Sequence, residues 1–253
     1  MIVSLSRFLF PKKCIFCGCP LSIGEDIDIC GVCAVRIPYF AGKYLFDGGN
    51  SGNGDSGKYC DRIVCALQYT DFVRKTISGY KFHDRIEFGQ SLAALLCERI
   101  LRVENFNSPI DEIREAFDFV TCVPMSRGRL RERGYNQAAI LAGHTARYLG
   151  LPFERKLLAR EDDTLRQSAL RRVERYANVR SAFRVDGEKA RRAYSRITAA
   201  DAQSGGALEA ALGGARIILI DDIATSMTTI NACATALKER GAAMVLGAVL
   251  AAP

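Results

Sequence analysis

The sequence predicts an α/β fold, a doubly wound, mainly parallel sheet preceded by a small cysteine-rich module. Three observations carry that expectation. Short apolar runs that read as buried strands alternate with stretches of helical periodicity. The run RIILID (216–221) ends on the acid pair Asp221-Asp222 and leads through ATSMTT into a helix, so a strand end, a small-residue loop and a helix start meet at one place. Cys14-x-x-Cys17 and Cys30-x-x-Cys33 form two knuckles with twelve residues between them.

Taken in chain order, MIVSLSRFLFPKK (1–13) has an apolar flavour, but Ser4, Ser6 and Arg7 interrupt it, which makes a poor signal peptide and a better short amphipathic helix. Residues 1–40 read as a metal module. Four thiolates at this spacing can close a tetrahedral zinc site in a segment too small for its own core, with Pro11, Gly18, Pro20, Gly24 and Gly31 easing the turns. Disulfides are the rival reading. The chain has ten cysteines, and the other six are scattered in mostly apolar surroundings, which suits free thiols in a reducing, cytoplasmic compartment. Cys19 is close enough to Cys17 to replace it as a ligand.

Residues 41–62 read as a linker around the low-complexity stretch DGGNSGNGDSGK (47–58), and 63–253 as the main domain. IVCALQY (63–69) is a strand candidate. DFVRKTISGYKF continues into IEFGQSLAALLCERILRV (86–103), whose apolar spacing is helical. FDFVTCVP (117–124) is a second buried strand, and RGRLRERGYNQAAILAGHTARYLG (127–150) reads as a loop that becomes an amphipathic helix ending at Gly150. Segment 187–214 is rich in Ala and Gly and reads as a surface insertion of marginal helicity. Ile217 to Ile220 form the strand before the acid pair. Thr229 to Arg240 form a helix that stops at Gly241, and VLGAVLAA (245–252) is the last strand. No run of eighteen apolar residues exists, so no membrane-spanning helix is expected.

The net charge of +7 is concentrated. Residues 127–133 carry net +3 and residues 155–192 net +6, more than the whole-chain excess, so the remainder is slightly acidic. A solvated basic face is the bland reading, and a polyanionic ligand, sugar phosphate or nucleic acid, the sharper one. Carboxylates at a strand end accept hydrogen bonds from hydroxyls or hold a metal, and a helix N-terminus with hydroxyls binds phosphate. Together they suit a sugar phosphate. His83 and His144 read as structural. Tyr135 with its basic neighbours either stacks a base or packs at a helix start.

IILIDDIATSMTT resembles the diphosphate-sugar signature of type I phosphoribosyltransferases. That resemblance implies that Asp221 and Asp222 are catalytic and orient the ribose of PRPP (5-phosphoribosyl 1-diphosphate), directly or through Mg²⁺. It implies that the amides of Ala224, Thr225, Ser226, Met227, Thr228 and Thr229, with the hydroxyls among them, bind the 5′-phosphate. The match departs at Met227, where the family usually has glycine.

Three further stretches extend the likeness. VPMSRGRLRERGYNQ (123–137), TLRQSALRRVERYANVRSAF (164–183) and YKFHDR (80–85) resemble segments of ComF-family proteins, in the family's order between the cysteine knuckles and the acid-pair loop. The resemblance implies an α/β, type I phosphoribosyltransferase-like doubly wound sheet with an N-terminal zinc-ribbon module. It implies a structural Zn²⁺ on Cys14, Cys17, Cys30 and Cys33, and Mg²⁺ with PRPP. It also implies a link to competence for DNA uptake, with single-stranded DNA or another DNA-uptake protein as a partner. Arg127 and Arg133, the latter favoured, and Lys81 are then the diphosphate candidates. Gln167 and Arg171 lie in a polar arm that would close over the site. No residue stands out as a general base, and no acceptor is indicated. Two function classes follow, a phosphoribosyltransferase and a non-catalytic nucleic-acid-binding factor built on the same fold.

Overall fold

The computed structural model describes residues 11–22, 27–48, 60–82, 85–106, 109–160, 182–197 and 211–253. In chain order the elements are α1 (Gly31–Ala34), β1 (Phe46–Asp47), β2 (Arg62–Gln68), α2 (Asp71–Phe82), α3 (Phe88–Glu104), α4 (Pro109–Ala116), β3 (Phe119–Cys122), α5 (Arg127–Arg133), α6 (Gln137–Leu149), β4 (Leu158–Arg160), β5 (Phe183–Val185), α7 (Gly187–Ile197), β6 (Arg216–Ile223), α8 (Thr228–Lys238) and β7 (Met244–Ala252). Five strands form one sheet in the order β1-β2-β7-β6-β3. The four longer strands run parallel, and only β1 is antiparallel, at the edge.

The apolar runs alternate between two cores, as a pleated strand requires. On β6, Ile218 and Ile220 join the core beneath α2, α3 and α6, while Ile217 and Leu219 join the core beneath α8. On β7, Leu246, Ala248 and Leu250 face the first core and Val245 and Val249 the second. Burial on both faces explains why these strands are continuous apolar runs instead of alternating polar and apolar residues. Helix α3 comes close to α6 at Gly89, where a Cβ would meet Ile140 Cγ2 at 2.8 Å. The antiparallel pair β4-β5 and α7 lie with α8 on the second core.

The cysteine module is packed onto the main domain. Cys14, Ile15, Leu21, Ile29, Cys33 and Ile37 are buried in the same core as α2 and α3. The Thr76 hydroxyl on α2 donates to the Ile15 carbonyl (3.2 Å), and the Asp28 amide donates to Ser91 Oγ on α3 (2.9 Å). Residues 38–48 run beside β2, with Phe40 N donating to Ala66 O and Leu45 N to Ile63 O.

Several local expectations change. The stretch DFVRKTISGYKF, given no element type from the sequence, forms its own helix, α2, ahead of α3. The basic stretch 127–133 is helical because Ser126 caps it, its Oγ accepting from Arg129 N (3.4 Å), and Gly134 ends it at φ 77°. The 41–62 linker contains the edge strand β1. In the 187–214 segment, Ala190 and Ala193 of α7 and Leu212 are buried, so small side chains here allow close packing on the second core. The expected N-terminal helix, most of the 47–58 loop, His83, and the arm with Gln167 and Arg171 lie outside the described residues.

Candidate functional site

The carboxyl ends of β3 and β6 are neighbours in the sheet, and the side chains they present meet in a cavity of about 230 Å³. Its wall includes Lys81, Ser126, Arg129, Arg133, Asn136, Gln137, Arg160, Asp221, Asp222 and Thr229. Strand β6 runs three residues past the expected end at Ile220, to Ile223, so the acid pair lies within the strand itself. The alternation that sorts the two cores puts Asp222 on the α2/α6 side and Asp221 on the α8 side.

The two acids have different surroundings. Asp222 Oδ2 lies 2.8 Å from Lys81 Nζ, with both side chains mostly buried. Its Oδ1 accepts from the Ile223 amide (2.7 Å). Asp221 Oδ1 accepts from the Asp222 amide (2.9 Å). Dense protein around the Asp221 carboxyl and the neighbouring Asp222 charge push its pKa up to about 8, against the smaller opposing effects of that amide and Lys81.

Lys81 stands at the end of α2, and the Tyr-Asn-Gln stretch after α5 holds that end in place. Tyr135 Oη donates to Tyr80 O (2.5 Å), Tyr80 Oη donates to Gln137 O (2.8 Å), and Gln137 Nε2 donates to Lys81 O (3.4 Å). Asn136 Nδ2 donates to Val123 O (3.0 Å), while its Oδ1 caps α6 at Ala139 N (3.4 Å). Of the two readings of Tyr135, base stacking or packing at a helix start, these contacts favour the second, with its hydroxyl tying that start to the end of α2. His144 is half-buried on α6, its pKa lowered by burial and by Arg147.

Of the arginines of α5, the wall includes Arg129 and Arg133 but not Arg127 or Arg131. Residues at i and i+4 share a helix face, so one pair faces the cavity and the other pair turns away. Arg127 is thus not brought to the site with Arg133. The Arg133 guanidinium lies 4.5 Å from the centre of the exposed Phe82 ring, a cation–π contact at the cavity rim. Arg160, at the end of β4, was not singled out in the sequence. It precedes an acidic run, and only the β4-β5 hairpin brings it to this wall. Ser126 and Asn136 were likewise missed as wall residues, although both are recognisable as helix caps.

The loop after the acids is only partly as expected. Thr229 lines the cavity, whereas Thr225 and Ser226 are exposed beyond it. The Thr228 hydroxyl donates to Ser226 Oγ (3.0 Å). The Ala224 amide donates to Ala251 O (3.1 Å) and continues the sheet, so it is not a free phosphate donor. Met227 has φ 56°, ψ −1°, a left-handed conformation at the N-cap of α8. Its side chain turns away and packs against the second core. The position therefore has the backbone that glycine would favour, although it carries a methionine.

In the cysteine module, the Sγ atoms of Cys14, Cys17, Cys30 and Cys33 all lie within 4.8 Å of one another, with Cys17 and Cys30 at 3.6 Å. Thiolates around a tetrahedral zinc sit roughly 3.8 Å apart, so this set fits a structural zinc. Gly18, at φ 74°, turns the first knuckle and lets its amide donate to Cys14 O (2.8 Å). Among the described residues no other group of His, Cys, Asp and Glu converges this way.

The acid pair does not fit magnesium in the same sense. Asp222 already has an ammonium partner, and the cavity wall carries four cations against two carboxylates. A divalent cation at this place would meet net positive surroundings.

No family model matches the chain. It is similar to the DNA utilization protein YhgH of Salmonella typhi, at 25% identity over 244 residues, covering 93% of this chain and 94% of that protein. It is 24% identical to Competence protein F of Haemophilus influenzae over 224 residues, 88% of this chain and 84% of that one. The DNA utilization protein YhgH of Escherichia coli K12 is 24% identical over 243 residues, 93% of this chain and 94% of that protein. No helix in the described residues is long and apolar enough to cross a membrane.

Proposed function

We propose that this chain is a ComF-family protein whose type I phosphoribosyltransferase-like domain binds PRPP or a related sugar phosphate, and that it serves competence and DNA uptake. The observation that carries the reading is the cavity at the ends of β3 and β6, where an acid pair faces Lys81, Arg129, Arg133 and Arg160. Ligands of open α/β sheets bind outside the carboxyl ends of strands, and this wall offers carboxylates for sugar hydroxyls and a guanidinium cluster for phosphates. The likeness to Competence protein F and to the DNA utilization proteins runs over nearly the whole chain, so the metal module and the sheet domain travel together in the comparison. The module holds one structural zinc on Cys14, Cys17, Cys30 and Cys33.

In this reading Asp221 and Asp222 position the ribose, and Arg129, Arg133 and Lys81 take the diphosphate. The helix N-terminus at Thr228 and Thr229 takes the 5′-phosphate. If the bound sugar reacts, the bond from C1 to the diphosphate oxygen breaks as an acceptor bonds to C1. The residues contribute position and charge stabilisation to an oxocarbenium-like state. The four-cation wall favours a second reading beside transfer chemistry, a nucleic-acid-binding factor that uses the same surface.

A PRPP titration run beside a single-stranded DNA titration at several salt concentrations separates them. Wild type should bind PRPP, and Asp221→Asn with Asp222→Asn should abolish it. DNA affinity that falls steeply with salt while PRPP fails to bind supports the second reading. PRPP affinity unchanged in the double variant removes the first.

A further inference from the structure

Lys81 is a fixed charge. Its helix end is tied by the Tyr135, Tyr80 and Gln137 hydrogen bonds, and the middle of the same helix is tied to the cysteine module through Thr76 and Ile15 O. The ammonium sits 2.8 Å from Asp222 Oδ2, and the other Asp222 oxygen accepts a backbone amide. One Asp221 oxygen also accepts an amide. Magnesium demands near-octahedral geometry and is usually held by one or two carboxylates together with substrate phosphates. To use Asp222 here it would have to displace an ammonium, with Arg129, Arg133 and Arg160 on the same wall.

We propose that Lys81 fills the place of the divalent cation in this site, so that the cavity takes its sugar diphosphate as the metal-free anion. The proposal rests on the PRPP reading above and deepens it. An ammonium has three N–H donors. One faces Asp222, and because Lys81 also lines the cavity, the other two are left for a diphosphate bound there. Lys81 then bridges carboxylate and phosphate, as a metal ion would. The arginines supply the remaining positive charge that a doubly charged metal would otherwise bring.

The test uses the full chain with its zinc content verified, in buffer stripped of free divalent metal over a chelating resin so that thiolate-bound zinc stays in place. PRPP is titrated with and without added magnesium. Wild-type Kd should differ by less than about threefold between the two, and Lys81→Ala should lose about tenfold or more in metal-free buffer and regain most of it with magnesium. A wild type that binds at least about tenfold more tightly with magnesium overturns the proposal.

A second arm titrates manganese by electron paramagnetic resonance without sugar phosphate. Wild type should have no manganese site that Asp222→Asn removes, and Lys81→Ala should gain one. Manganese held by the wild-type acid pair overturns the proposal even if PRPP never binds. PRPP failing in every titration sinks the sugar-phosphate reading, while the manganese arm still decides the role of Lys81.

Discussion

The rings of Phe16 and Phe72 stack with centroids 4.7 Å apart and planes within 4° of parallel. One belongs to the first cysteine knuckle and the other to the opening turn of α2, the helix that ends at Lys81. The Arg36 guanidinium lies 5.5 Å from the Phe72 ring, so both cysteine pairs of the module reach the same aromatic anchor. The module is thus continuous with the main core and contributes to its stability.

Cys14→Ser should lose about one zinc per chain, seen by elemental analysis, because three thiolates hold structural zinc poorly. Loss of the module's order should also lower the melting temperature of the whole protein by roughly 5–10 °C, corresponding to about 2–3 kcal/mol of lost packing on α2 and α3. The sheet domain should remain folded by circular dichroism, since the core beneath α8 is untouched and the helices α2, α3 and α6 still cover the other face of the sheet. An unchanged melting temperature after zinc loss would show that the Phe16–Phe72 packing contributes nothing.

Lys81→Met and Asp222→Asn should each destabilise the fold by about 1–3 kcal/mol, because each leaves a mostly buried partner without its counter-charge. The double variant should lose less than the sum, with a coupling of about 1–2 kcal/mol in urea unfolding. Strict additivity would mean the pair does not form in solution.

Asp221 sets a pH dependence. Its folded pKa is raised to about 8, so between the ordinary carboxylate value and that point the folded protein keeps a proton that the unfolded chain has released. Raising the pH through this window therefore costs stability, by at most about 1.4 kcal/mol per pH unit. Asp221→Asn should flatten the decline, so the variant gains on wild type between about pH 5 and pH 8. Parallel stability curves for the two proteins over that range would contradict the raised pKa.

Met227→Gly should change PRPP affinity by less than about threefold, because the left-handed backbone is already in place without ligand and relief of its strain acts on free and bound states alike. Global stability should move by less than about 1 kcal/mol, because the relief is offset by lost methionine packing and by the freer unfolded chain of glycine. PRPP binding weakened beyond that range in the variant would show that the methionine is itself part of the site.

The strands and the long helices were legible because their signals are local. The buried runs of β2, β3, β6 and β7, the Gly150 stop of α6 and the Gly241 stop after α8 needed no tertiary information. The left-handed backbone at Met227 was legible as well, from the glycine that the resembling loop carries there. What the sequence hid is directional. Nothing local tells that Arg129 faces the cavity while Arg127 does not, because that depends on the Ser126 cap turning 127–133 into a helix. Tyr135 could be read from the sequence either as a base-stacking residue or as packed at a helix start, and only the fold shows its hydroxyl donating to a carbonyl more than fifty positions away in the chain. Arg160 had no local signal at all, since a short hairpin carries it to the wall.

The alternation of β6 between two cores has a consequence for how the acids can vary. Asp222 answers to the layer of α2 and α6, and Asp221 to the layer of α8, where Cys233 is buried. A repacking substitution beneath one face acts on both carboxylates, because the Asp221 pKa answers to the Asp222 charge and to Lys81, and Asp221 Oδ1 accepts the Asp222 amide. Although they face different layers, the two acids are therefore linked, and a change that breaks the Lys81–Asp222 ion pair also shifts proton affinity at Asp221.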